Sequence, residues 1–227
     1  MEGFAFQVEV IRTDRKKSAS IQLDGDLVKV RVPKSLSDKR IRELIAKRTP
    51  WIQAKFKEQS ERPVPKPKEY VSGEFLSYLG KNYRLKVVSG INPSIKLENG
   101  DLVVAIPEEK QQQNMVKHLL ENWYRTRAEI LLREKTERFS KIIKVSPRSV
   151  FVGNYKSRWG ACSSKGDITY NWKIILTPHR IVDYLVVHEL CHLLEHNHSP
   201  RYWRHVERYV PDWRECREWL KSNPVVF

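Results

Sequence analysis

Apolar and polar positions alternate in two stretches of the N-terminal half, and this alternation predicts two β-hairpins. The first covers residues 21–33 and turns at an Asp-Gly pair; the second covers residues 95–107 and turns at an Asn-Gly pair. Each ends at a proline and precedes a helical pattern that carries a tryptophan, Trp51 or Trp123. The pattern predicts a duplicated ββα unit with one joint antiparallel sheet, although any short hairpin with such a turn looks similar.

The helical patterns begin at residues that are suited to helix N-termini. Ser37 caps a first helix, and Thr49, which precedes a proline, begins a second. Helical spacing continues through residues 111–143 and resumes after Thr177. Between these two segments, residues 168–176 form a predicted strand whose even-numbered positions face the core.

These elements predict an α+β fold in two parts. Three prolines within residues 61–68 indicate a stiff, extended linker. Residues 1–110 form the predicted N-terminal α+β region, which contains this linker and the hairpin-helix repeats, and residues 111–227 form a second domain that carries the chemistry.

The amino-acid composition is typical of a globular protein with a strong positive charge. Hydrophobic residues make up 40% of the 227 residues, and 42 Lys and Arg stand against 27 Asp and Glu, a net charge of +15. Such a charge attracts polyanions, so nucleic acid is a candidate partner, although no recognition motif supports it. No apolar run approaches the ~18–20 residues that span a bilayer. With no export signal and three cysteines that cannot all pair, we expect a soluble, cytoplasmic protein.

The main chemical signal lies on the predicted helix after Thr177. His188 and His192 are four residues apart, so both imidazoles face one side of the helix, where one metal ion can bind between them. Glu189 follows the first histidine and can take a proton from a bound water. The helix is otherwise apolar, and buried His and Glu side chains need partners, which a zinc ion supplies.

A third protein ligand is expected, since two imidazoles bind zinc weakly. His198 follows His192 by six residues, the spacing that metzincins use with a glycine at the turn. Glu195 occupies that glycine position here, so we expect a different turn, made by Asn197 in a left-handed conformation. His196 and Glu207 are the alternative ligands.

Several segments around the motif resemble the YgjP-like metal-dependent hydrolases, a predicted family of zinc metallopeptidases related to SprT-like proteases. The resemblance rests on residues 156–164, 168–178, 186–193, 197–203 and 211–213. It implies a compact zincin-like core with the active-site helix against a small sheet. It also implies zinc ligands at His188, His192 and His198, a general base at Glu189, and a peptide substrate that pairs with the strand at residues 168–176.

The sequence therefore predicts a zinc-dependent peptidase that attacks a carbonyl with water. Arg158, Tyr202 and His205 are candidates for contacts with substrate or with the oxyanion, although each has a purely structural alternative. A phosphoanhydride hydrolase acting on nucleoside triphosphates is the alternative function, but the chain has no Gly-rich phosphate loop. A nucleic-acid-associated protease is a third possibility.

Overall fold

The two predicted hairpins lie in two different compact units of the chain, Met1–Pro65 and Lys66–Phe227. This computed structural model describes residues 4–15, 18–61, 68–108, 113–223, 225 and 227. The division at 65/66 differs from the predicted boundary at 110/111, because the second hairpin packs into the same core as the motif helix. The predicted linker falls mostly on residues 62–67, outside the described residues.

The first unit is a three-stranded sheet with one helix. Its elements are β1 (Gln7–Thr13), β2 (Ser20–Asp24), β3 (Leu27–Pro33) and α1 (Asp38–Glu61). The strands lie in the order β1-β3-β2, with β1 parallel and β2 antiparallel to β3. The core of this unit consists of alternate residues of β3 and one face of α1: Val28, Val30, Val32, Ile41, Ile45 and Ile52.

Helix α1 continues through Pro50, so the prediction of a second helix beginning at Thr49 is wrong. Proline removes one backbone donor from the helix. However, Ile45 and Ile52 on either side of it are fully buried in the same core, and this packing holds the two halves together. The Thr49 hydroxyl also donates to the carbonyl of Ile45 at 3.0 Å.

The second unit begins with a sheet that repeats the plan of the first. It contains β4 (Phe75–Tyr78), β5 (Lys81–Ser89), β6 (Ser94–Glu98) and β7 (Asp101–Ile106), in the order β4-β5-β7-β6. The order β5-β7-β6 and its parallel β5–β7 pair match β1-β3-β2. The repeat therefore includes a third strand. The expected joint antiparallel sheet is wrong, since each copy forms a separate mixed sheet.

A long helix and a third sheet follow in the second unit. They comprise α2 (Gln113–Ile143), β8 (Ser149–Gly153), β9 (Gly160–Cys162) and β10 (Asp167–Asn171), with the strands in the order β8-β10-β9. Strand β10 is therefore central and is paired on both sides, parallel to β8 and antiparallel to β9.

The predicted strand at residues 168–176 is correct only in its first half. It ends at Asn171, whose side chain accepts a hydrogen bond from the backbone N–H of Lys173 and so caps a 3-10 helix, Trp172–Leu176. Asparagine competes for backbone donors in this way and ends extended structure.

Three helices complete the second unit: α3 (His179–Cys191), α4 (Pro200–Tyr209) and α5 (Trp213–Ser222). Apolar residues surround most of α3, which packs on α2, where Lys135 forms a 2.5 Å ion pair with Asp183 of α3. The α+β class predicted from the sequence is confirmed. Among the described residues, no helix is long and apolar enough to cross a membrane.

Candidate metal centre

His188 and His192 lie one turn apart at the C-terminal end of α3. The helix ends at Cys191, but His192 keeps helical dihedral angles (φ −66°, ψ −19°), so the four-residue spacing still places both rings on one face. Their ring centroids are 5.1 Å apart. The sequence prediction of two neighbouring imidazoles therefore agrees with the structure.

The chain turns back after α3 and brings His198 over the same face. Its Nε2 atom lies 3.2 Å from Nε2 of His188. Asn197 supports this turn with its side chain, which accepts a hydrogen bond from the backbone N–H of Ser199 at 3.0 Å. The expected left-handed conformation of Asn197 is wrong, since its φ is not positive. Residues 192–194 form turns after the helix.

The three histidines form a group that could hold a divalent metal ion. One potential ligand atom from each of His188, His192 and His198 lies within 4.8 Å of the other two. Zinc–nitrogen bonds of ~2.0–2.1 Å in a tetrahedral site place two ligand nitrogens about 3.3 Å apart. The separation between the Nε2 atoms of His188 and His198 is close to that value.

The alternative ligands lie outside this cluster. His196 does not belong to the group of metal-binding side chains found among the described residues. Glu207 does not belong to this group either, and its carboxylate forms an ion pair with Arg214 at 2.8 Å.

The protein environment keeps the three imidazoles neutral, which is the form that binds a metal. Burial lowers the pKa of His188 to about 3, and the neighbouring imidazoles and Arg217 act in the same direction. Burial also lowers the pKa of His192 and of His198. The Nδ1–H of His192 donates to the carbonyl of Glu195 at 3.2 Å, which leaves Nε2 with its lone pair for a ligand bond.

Tyr202 of α4 contacts His188 and His192 of the cluster. Its hydroxyl donates to the backbone carbonyl of His188 at 2.8 Å, and its ring stacks on His192 with centroids 4.5 Å apart. The side chain is fully buried. Tyr202 was a candidate for contact with substrate or with the oxyanion; that contact stays a prediction, and the structure shows the hydroxyl bonded to the backbone of α3.

Glu189 points from α3 against the backbone of β9. A Cβ atom on Gly160 would lie 2.5 Å from Oε1 of Glu189, so only glycine leaves room for the carboxyl group at this position. Glu189 is 3% exposed, and burial raises its pKa to about 8, while the charge of Arg158 lowers it. A carboxyl whose pKa lies near neutral pH suits both the acceptance and the release of a proton.

The other two predicted substrate contacts occupy different surroundings. Arg158 is exposed, with its guanidinium 4.7 Å from the centre of the Tyr155 ring, and its charge acts on Glu189. It therefore lies near the proposed base, and its contact with the oxyanion stays a prediction. His205 is half-buried on α4 and belongs neither to the histidine cluster nor to the cleft beside it.

An open cleft of about 500 Å³ borders His188, Glu189 and His198. Its further walls come from α3, α4, α5 and the start of β9, and they include Trp159, Gly160, Tyr184, Leu185, Trp203, Arg217, Leu220 and Lys221. The sequence analysis missed these residues. Tyr184 precedes His188 by one helical turn and could have been found from that spacing, but nothing in the sequence connects α5 with the motif.

Comparisons with known proteins give one family match and one structural match. A family model described as "YgjP-like, metallopeptidase domain" matches residues 17–223. The crystal structure of the metallopeptidase zymogen of Pyrococcus abyssi abylysin aligns with a TM-score of 0.37 and 23% identity, over 42% of this chain and 99% of abylysin. A comparison with curated proteins finds no match.

Proposed function

The chain belongs to the YgjP-like metallopeptidase family, and from this premise we propose that it hydrolyses peptide bonds with zinc bound by His188, His192 and His198. The observation that carries the proposal is the convergence of three neutral imidazoles beside a buried carboxyl group. Three histidines leave the fourth position of a tetrahedral zinc open, as a catalytic site requires.

Glu189 is the general base in this proposal. Zinc, when bound, supplies Lewis acidity, which lowers the pKa of water towards ~7 and polarises a carbonyl. A carboxylate oxygen of Glu189 accepts the proton of the attacking water and then donates it to the leaving amine. Gly160 leaves room for that carboxyl, and burial brings its pKa to about 8, near the neutral range in which one group can accept a proton and later release it.

The peptide substrate pairs with β9 in this proposal, and not with the segment 168–176. Strand β10 already has partners on both sides, whereas β9 is the edge of its sheet among the described residues. An extended peptide can add to such an edge through backbone hydrogen bonds. Because Gly160 of β9 touches Glu189, this position brings a peptide carbonyl beside the proposed base.

Two variants test the proposal. Glu189→Gln keeps the histidines and removes the base, so we expect one bound zinc per chain and a loss of peptide hydrolysis of at least ~100-fold. His188→Ala removes a ligand, so we expect both zinc and hydrolysis to be lost.

The measurements are zinc content by atomic absorption and cleavage of a fluorogenic peptide library. His118→Ala, at an exposed histidine of α2, is the matched control and should behave as the wild type. Full activity in Glu189→Gln would contradict the role of the base. Hydrolysis of nucleoside triphosphates without cleavage of any peptide by the zinc-loaded protein would contradict the peptidase assignment.

A further inference from the structure

Helix α5 places two basic side chains in the wall of the cleft that contains the metal centre. Arg217 and Lys221 are one helical turn apart and line the same cleft as His188 and His198. Hydrolysis by zinc and a carboxylate does not itself need either cation. Their place beside the cluster therefore points to a group on the substrate.

Arg217 differs from the other basic residues near it because its charge is not neutralised. Arg214 on the same helix pairs with Glu207 at 2.8 Å, and Lys221 pairs with Glu218 at 2.8 Å. No carboxylate among the described residues forms an ion pair with Arg217.

Aromatic contacts hold Arg217 close to the metal ligands. Its guanidinium lies 5.1 Å from the centre of the Trp203 ring. Trp203 in turn stacks on His198, with ring centroids 5.5 Å apart, and on Trp213 at 4.0 Å. An arginine supported in this way loses less side-chain freedom when it binds an anion, so part of the cost of recognition is already met.

The cleft between Arg217 and the histidines has apolar walls. Tyr184, Leu185 and Leu220 lie there beside the ring of Trp203. These apolar side chains give the stem of a ligand a surface to pack against, while the guanidinium of Arg217 is exposed and accessible to an anion. The combination suits a ligand with a short apolar stem and an anionic end.

We propose that Arg217 forms a subsite that binds a carboxylate of the peptide substrate next to the scissile bond. This inference rests on the proposed peptidase function and specifies its substrate class. The carboxylate belongs either to an Asp or Glu side chain or to the C-terminus of the peptide. Both present the same planar pair of oxygens, which a guanidinium binds with two hydrogen bonds.

The test measures binding separately from cleavage. Zinc-loaded Glu189→Gln protein is titrated by calorimetry with peptides that differ only in one residue, Glu or Gln, and in their C-terminus, free acid or amide. We expect the peptides with a carboxylate at the recognised position to bind roughly tenfold more tightly than the neutral ones, as for a charge-assisted hydrogen bond. The pair of peptides that shows the difference identifies the source of the carboxylate.

Variants of α5 assign the effect to one side chain. Arg217→Gln in the Glu189→Gln protein should abolish the roughly tenfold preference and leave the affinity for the neutral peptides unchanged. Arg217→Glu should reverse it in favour of a peptide with Lys at the same position. Arg214→Gln is the matched control, since Arg214 lies on the same helix outside the cleft, and it should keep the preference.

The failure of the subsite and the failure of the proposed function give different results. If the Glu189→Gln protein bound charged and neutral peptides with equal affinity and the wild-type protein cleaved both, the subsite would be overturned and the proposed peptidase function would still hold. A charge preference that depends on Arg217, without cleavage of any peptide by the wild type, would support the subsite and overturn the peptidase. Tighter binding of tripolyphosphate than of every peptide, lost in Arg217→Gln, would overturn the assignment to a carboxylate.

Discussion

At the scale of single residues, the position of the proposed general base, Glu189, depends on the absence of a side chain at position 160. Gly160 lies on β9, and its backbone touches the carboxyl group of Glu189. This contact fixes the carboxyl between two elements that are far apart in the sequence. A substitution at Gly160 can therefore move the carboxyl group of Glu189 while Glu189 itself stays unchanged.

Gly160→Ala should displace the carboxyl of Glu189, because the new Cβ would lie 2.5 Å from Oε1 and 2.9 Å from Cδ. We expect kcat/KM for peptide hydrolysis to fall by about 100-fold, as for a misplacement of about 1 Å. The histidines are not touched, so zinc content and the melting temperature should stay close to the wild-type values. Unchanged kcat/KM would show that Glu189 does not act from this position.

The burial of His188 predicts how the stability of the metal-free protein depends on pH. The pKa of His188 is about 3 in the folded protein and about 6.5 when unfolded, so between these values only the unfolded chain binds the proton. The free energy of unfolding should therefore fall as the pH falls through this window, by an amount on the order of a few kcal/mol from His188.

Urea unfolding of the metal-free protein at pH 7 and pH 4 measures this dependence. His188→Gln removes the titrating group, so its free energy of unfolding should change less between the two pH values than that of the wild type. His118→Gln, at an exposed position, should keep the wild-type dependence. The same pH dependence in His188→Gln and in the wild type would exclude His188 as its source.

At the scale of elements, α4 holds the last turn of α3 in place. The carbonyl of His188 lies in the last turn of α3, where backbone carbonyls have no N–H partner within the helix. The Tyr202 hydroxyl donates a hydrogen bond to this carbonyl at 2.8 Å. The ring of Tyr202 also stacks on His192. A single side chain of α4 therefore orients two of the three proposed zinc ligands.

Tyr202→Phe should remove the hydrogen bond and keep the stacking. We expect the free energy of unfolding to fall by about 1–2 kcal/mol and the zinc affinity to weaken about tenfold, because an outer partner of the ligands is lost. Urea unfolding and competition with a chelator measure the two effects. Tyr209→Phe on the same helix is the control; zinc affinity equally weakened in both variants would contradict the positioning role of Tyr202.

At the scale of the whole molecule, the two compact units have separate hydrophobic cores. Among the described residues of the first unit, the fully buried core comes from β3 and α1, with partly buried neighbours from the same unit. The second core contains residues from Tyr70 to Cys216 and includes most of α3. All three proposed ligands and the proposed base belong to the second unit. Association with nucleic acid, suggested by the net charge of +15, stays a prediction.

A chain that begins at Lys66 should fold and bind zinc without the first unit, because the second unit has a hydrophobic core of its own. We expect cooperative thermal unfolding of residues 66–227 and one zinc per chain, lost in His188→Ala. Calorimetry and atomic absorption measure these properties. Zinc binding that requires the full chain would show that the first unit contributes to the metal centre.

The sequence by itself determined the features that depend on neighbouring residues. The period of the α-helix places His188 and His192 on one face and Glu189 beside them, and the alternation of residues predicts both hairpins. The six-residue spacing and the family resemblance indicated His198. Local signals were less reliable where packing overrides them, as in the continuous helix through Pro50 and the short strand that ends at Asn171.

Only the tertiary structure decided which distant residues complete the site. Gly160 meets Glu189, Tyr202 meets His188, and Arg217 enters the cleft because separate strands and helices pack together. Such contacts depend on the path of the chain between elements, for which a single sequence has no local signal. The edge position of β9 was also hidden, since pairing between strands is set by the whole sheet and not by the residues of one strand.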